Sequence, residues 1–251
     1  MSPHPLLERL TLLRLPAFRA GLEEQLGSPQ YAELSFEDRL ALLVDLELTR
    51  RQDNRFQRRV KAAAFPLSAT LEDLDLSAAR GLDRRFVLEL AQCDWIANHL
   101  NLFILGPTGV GKTFLTCALG RSACRNNFNV RYQRTSRLLH QLAHARQDPP
   151  EAYPDLLDSL AGVDLLIFDD WMRDPLSPAQ SKDLLEILDD RFGRASTLVV
   201  SQVPVADWYA RFPDPTIGDA ILDRLVHNAY RLNLEGESQR KIRSALLMPA
   251  T

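Results

Sequence analysis

Residues 106–113 of this 251-residue chain read Gly106-Pro107-Thr108-Gly109-Val110-Gly111-Lys112-Thr113, a complete G-x-x-x-x-G-K-[ST] phosphate loop. Each part has a chemical reason. Glycines let backbone N–H groups turn inward around phosphates, and a helix starting near Lys112 would add its positive dipole end. Lys112 would bring a charge to the β- and γ-phosphates, and the Thr113 hydroxyl would ligate Mg2+. Chance produces this pattern in roughly 1% of chains of this length at ordinary Gly and Lys frequencies. The strand before it and the helix after it lower that further.

A second chemical feature is Leu165-Leu166-Ile167-Phe168-Asp169-Asp170, an apolar run ending in two acids. Beside a phosphate loop it reads as a Walker B element. Asp169 would then hold Mg2+ directly or through water, and Asp170 would polarise an attacking water. Alone, the same residues would be a strand followed by an N-cap aspartate. Ser201 and Gln202 end another apolar run, where they could orient the water or sense the γ-phosphate, or simply begin a loop. Arg224 lies on an otherwise apolar helical pattern. It could pair locally with Asp219 or Asp223, or reach a neighbouring subunit's γ-phosphate. Trp171 and Trp208 fit a core or an interface better than a nucleobase platform.

Positioning these groups requires strands alternating with helices. Asn101–Leu105, Val130–Arg134, Val163–Asp169, Thr197–Gln202 and Tyr230–Leu234 are short apolar or β-branched runs, with a helical pattern between each and the next. That is an α/β fold with a mainly parallel sheet. Ser177-Pro178-Ala179-Gln180 reads as an N-cap, a first-turn proline and a capping-box glutamine. Thr216 and Asp219 suggest a similar start for the last helix.

The region before this core is helical throughout, so residues 1–66 and 67–251 are expected to form separate domains. Its third helix opens at Ser35 and Asp38 and stops near Phe65-Pro66. Net charge is partitioned unevenly along the chain. The whole carries -3, whereas residues 50–61 hold Arg50, Arg51, Arg55, Arg58, Arg59 and Lys61 against Asp53 alone. Either this is a solvated helix face or it contacts the phosphates of nucleic acid.

Composition excludes several classes. With 45% hydrophobic and 25% charged residues, the chain is ordinary for a globular protein, and it contains no run of eighteen uncharged apolar residues. No membrane span and no secretory signal are expected, so the cytoplasm is the expected compartment. Cys93, Cys117 and Cys124 form no CxxC pair and read as small buried hydrophobes.

Taken with their spacing, these motifs resemble the IstB-like transposition helper ATPases, a branch of the AAA+ superfamily close to DnaC-type helicase loaders. The resemblance runs from Leu34–Leu43 and the basic helix through Cys93–Ile96, the phosphate loop, Asp164–Trp171, Leu184–Arg191, Ser201–Pro204, Asp219–Leu232 and Gly236–Lys241. It implies an AAA+ core with a five-stranded parallel sheet and a helical N-terminal DNA-binding or oligomerisation domain. It also implies ATP with Mg2+, hydrolysis stimulated by DNA and by oligomer formation, and assembly on duplex DNA to recruit or activate a partner transposase. By position, Lys112 and Thr113 match Walker A, Asp169 and Asp170 Walker B, Ser201 or Gln202 sensor 1, Arg224 an arginine finger and Arg240 a second sensor. The chain departs from the family in carrying Asp170 where AAA+ proteins often have Glu. With only 17 residues after Leu234, a C-terminal helical lid is expected to be missing or vestigial. Two alternatives remain: a helicase loader, and a nucleotide-stabilised DNA-binding adaptor with negligible turnover.

Overall fold

The computed structural model describes residues 5–74, 81–147 and 149–239. The chain divides into two units, Met1–Arg58 and Arg59–Thr251. In the first, α1 (Pro5–Leu12) and α2 (Pro16–Gly27) lead through a 3₁₀ turn to α3 (Phe36–Ala63), whose last five residues belong to the second unit. Ser35 caps α3: its hydroxyl accepts the Asp38 N–H at 3.1 Å and donates to the Asp38 carboxylate at 2.8 Å. Helix α2 begins at Pro16 after Leu15, which offers no side-chain cap. Glu47 of α3 takes that role, its carboxylate accepting the N–H groups of Ala17 at 3.0 Å and Phe18 at 3.3 Å. A carboxylate there also meets the positive end of the helix dipole. Burial works to raise the pKa of Glu47, but the Arg51 guanidinium and the two N–H groups outweigh it and hold the carboxylate below its ordinary value.

The second unit adds α4 (Arg84–Gln92), α5 (Asp94–Ala97), β1 (Asn101–Leu105), α6 (Lys112–Arg125), β2 (Val130–Arg134) and α7 (Thr135–Ala145). There follow α8 (Ala152–Ala161), β3 (Leu165–Asp169), α9 (Pro178–Arg191), β4 (Ser196–Ser201), α10 (Pro215–Val226) and β5 (Ala229–Asn233). All strand pairs are parallel, in the order β2-β3-β4-β1-β5. The five expected strands are all present: β1 and β2 have the expected ends, and β3, β4 and β5 are displaced by one or two residues. The start of α10 differs from the sequence expectation. Asp214, rather than Thr216, is its N-cap, because Pro215 fits the first helical position and the Asp214 carboxylate accepts the Thr216 N–H at 2.9 Å. The capping box at Ser177 and Gln180 is formed as the spacing predicts.

The inner strands β1, β3 and β4 are buried on both faces, as in other parallel sheets covered by helices, whereas the edge strand β5 is largely exposed. Phe103, Phe168, Trp171 and Trp208 are fully buried and stack edge-on or tilted, with ring centroids 5.1 to 6.0 Å apart. Both tryptophans are therefore core residues. At the opposite end of β4 from the site, buried Arg191 donates to the carbonyls of Leu160 at 2.7 Å, Val163 at 2.8 Å and Ser196. Among the described residues no helix is long and apolar enough to cross a membrane.

Candidate active site

The strand order decides where the chemistry sits. With β3, β4 and β1 adjacent, their C-terminal ends bring Asp169, Ser201-Gln202 and the loop beginning at Gly106 to one edge of the sheet, the usual ligand edge of an open α/β fold. There a cavity of about 510 Å3 is lined by Thr108, Lys112, Thr113, Asp169, Asp170 and Gln202 among others.

The loop is held in a shape that only glycine tolerates. Gly106 has φ +144°, and a Cβ there would run into the Leu234 carbonyl. Gly109 has φ +88°, and a Cβ there would collide with Ser238. The Gln239 N–H donates to the Gly109 carbonyl at 2.9 Å, so residues after β5 lie directly against the loop. Lys112 begins α6, and its Nζ donates to the carbonyls of Gly106 at 2.7 Å and Pro107 at 2.8 Å. Burial lowers the pKa of Lys112, while Asp169 and Asp170 pull it back up.

Asp169 is buried at the end of β3 and is held by three donors. Thr113 Oγ1 donates to its Oδ2 at 2.9 Å, the Tyr132 hydroxyl donates to the same oxygen, and the Asp170 N–H donates to Oδ1 at 2.8 Å. The Tyr132 hydroxyl is pushed above its ordinary pKa, first by burial and then by Asp169, so it remains a donor. Asp170 follows in the left-handed region at φ +56°, a conformation that, after glycine, short polar side chains enter most readily. It lines the cavity beside Asp169. The hydroxyl of Thr113 and the carboxylate of Asp169 are hard oxygen donors side by side, the chemistry that a magnesium ion takes.

The two candidates at the end of β4 separate. Gln202 faces the cavity, where its side-chain carbonyl accepts from the Thr108 hydroxyl. Ser201 is buried, donating to the Trp171 carbonyl at 2.8 Å and accepting the Val203 N–H at 3.0 Å. Arg224 does not line this cavity. Its partner is Asp189 of α9 rather than Asp219 or Asp223, because α9 and α10 pack side by side. Arg240 lies outside the described residues, as do the residues after it that bear on a C-terminal lid. Leu67, Leu74, Phe114 and Arg173 also line the cavity. Leu67 and Leu74 come from a loop far from the motif in sequence, whereas Phe114 follows Thr113 directly.

The basic positions near the end of α3 are not equivalent. Arg51 pairs with Glu47 at 2.9 Å and Arg58 donates to the Asn54 carbonyl at 3.3 Å. Arg59 donates to Asn127 at 3.1 Å. Arg50, Arg55 and Lys61 are exposed, with no side-chain hydrogen bond or ion pair to other described residues.

A phosphate loop after β1, an acid pair at the end of β3 and this strand order define a P-loop domain of the AAA+ type. A crystal structure of DnaI aligns over 67% of this chain and 92% of that chain, with a TM-score of 0.56 and 23% identity. AMPPCP-bound DnaA from Aquifex aeolicus aligns over 73% and 56%, with a TM-score of 0.58 and 17% identity. At these identities the likeness is one of fold. The chain belongs to the family of IstB-like ATP binding proteins, whose profile matches residues 8–246. A relative from Sinorhizobium fredii, y4pL, named for an insertion sequence and for ATP binding, is 44% identical over 96% of this chain and 98% of its own length.

Proposed function

We propose that this protein is an ATPase that assembles as a homo-oligomer on duplex DNA and recruits or activates a partner transposase. The observation that carries the reading is the convergence of Lys112, Thr113, Asp169, Asp170 and Gln202 on one cavity. Within it, Lys112 and the loop N–H groups bind the phosphates. Thr113 and Asp169 hold Mg2+, which supplies charge neutralisation at the phosphate oxygens. Asp170 accepts a proton from the attacking water, and Gln202 fixes that water or the γ-phosphate. Arg224 acts at the nucleotide of a neighbouring subunit. The exposed basic residues near the end of α3, Arg50, Arg55 and Lys61 among them, contact the DNA backbone.

A second reading, a nucleotide-dependent DNA adaptor with little turnover, is favoured by Asp170. Its carboxylate reaches one methylene less far than the glutamate often found there. Phosphate release from ATP, with and without duplex DNA, separates the two. Clear turnover raised by DNA supports the ATPase, and tight nucleotide binding without turnover supports the adaptor.

A further inference from the structure

We infer that Tyr132, which lies outside every motif, is a positioning residue for the metal-holding carboxylate of Asp169. The inference rests on the reading of the cavity as a site for a magnesium nucleotide. Tyr132 lies on β2, where it pairs with Ile167 of β3 in parallel register. Side chains two apart on a strand share a face, so Tyr132, Ile167 and Asp169 stand on the same side of the sheet. The ring leans along the strand and sets its hydroxyl on Asp169 Oδ2.

The donors on this carboxylate have different origins. Thr113 comes from the phosphate loop's own helix and is itself a metal ligand in the reading above. The Asp170 N–H is the next residue of the same strand end. Among the described residues, Tyr132 is the one side-chain donor to this carboxylate that belongs to neither metal-binding motif. It is 6% exposed and does not line the cavity, so its influence on a bound nucleotide must pass through Asp169. With Oδ1 tied to the Asp170 N–H and Oδ2 tied to Tyr132, the carboxylate plane is fixed at both oxygens before any metal arrives. An unfixed carboxylate would lose rotational freedom on binding the ion. Hydrogen bonds to a ligating carboxylate of this kind are typically worth about 10- to 100-fold in metal affinity or activity.

Tyr132→Phe keeps the buried ring and removes the hydroxyl. The test is titration calorimetry of ADP with wild type and variant, each in EDTA and in saturating Mg2+. The expected result is equal affinity in EDTA and a Mg2+-dependent rise in affinity reduced about tenfold or more in the variant. The EDTA titration also serves as the check on folding. A Mg2+-dependent rise equal to that of wild type overturns the inference. So does an equal weakening with and without Mg2+, which would assign the hydroxyl to the fold alone. Wild type that binds ADP with no Mg2+-dependent rise sinks the metal reading of Asp169 itself, an outcome seen without the variant.

Discussion

Arg224 of α10 forms an ion pair with Asp189 of α9, and its Nη1 donates to the Ala220 carbonyl at 2.7 Å. It lines a shallow groove with Tyr209, Leu222 and Val226, separate from the cavity around Lys112. The role proposed for this arginine at a phosphate is accordingly one played on a neighbouring subunit. The Asp189 pair is partly exposed, the guanidinium at 28% and the carboxylate at 44%, so breaking it costs little, about 1 kcal/mol or less.

Replacing Arg224 by Ala is expected to leave nucleotide affinity unchanged and to lower turnover by about 10³-fold or more. Lys112→Ala is expected to abolish nucleotide binding. Mixing the two inactive variants then places the nucleotide of one beside the intact arginine of the other, and turnover should return in part. A mixture that stays inactive, or an Arg224→Ala monomer that hydrolyses ATP at the full rate, contradicts action in trans.

Gln202 and Ser201 make a contrasting pair at one strand end. Gln202→Ala removes a group that faces the cavity, and kcat should fall roughly tenfold or more with the nucleotide Kd little changed. Ser201→Ala instead strands the buried Trp171 carbonyl and Val203 N–H, and should cost about 1–3 kcal/mol of stability. Denaturant midpoints and steady-state kinetics on both variants check the division. Equal kinetic impairment at equal stability would mean that both residues serve the chemistry.

Local chemistry was legible in the sequence because it is local. The phosphate loop, the acids after Phe168, the cap at Ser35 and the capping box at Ser177 are set by neighbours a few residues apart. The partners that sequence missed are distant ones. Glu47 caps a helix 30 residues upstream, Tyr132 reaches Asp169 across a strand pair, and Leu67 and Leu74 wall the cavity from a loop. Helical spacing offered Arg224 the acids on its own helix, whereas the packing of α9 against α10 supplied Asp189. Charge counting showed six basic residues near the end of α3 but could not show that Arg51 is already occupied by Glu47.

That distinction sharpens the DNA prediction. Of the six basic residues near the end of α3, Arg50, Arg55 and Lys61 are exposed without partners among the described residues, and replacing all three by Gln should weaken DNA binding at every sequence alike. The slope of log affinity against log salt should flatten by up to about 0.9 for each DNA phosphate that is no longer neutralised. Arg51→Gln should mainly lower stability, because Glu47 is deprived of the guanidinium that offsets its burial. An unchanged salt slope in the triple variant would identify this helix face as merely solvated.

The cysteines give a prediction in alkaline solution. Burial pushes the thiol of Cys93 up to about 11, that of Cys117 up to about 12 and that of Cys124 up to about 11, from an ordinary 9.0. A thiol with a raised folded pKa ionises first in the unfolded chain, so the unfolded state binds fewer protons above pH 9 and stability falls as pH rises. Each thiol withdraws up to about 1.4 kcal/mol per pH unit between its unfolded and folded values. Below pH 8 the three have no effect of this kind, and thiol-alkylating reagents should label the native chain far more slowly than the unfolded one. Urea midpoints between pH 8 and 10.5 should drop more steeply for wild type than for a Cys93→Ala, Cys117→Ala, Cys124→Ala variant. Parallel curves for the two proteins, or fast labelling of the native chain at pH 8, would show that the thiols are not held neutral in the core.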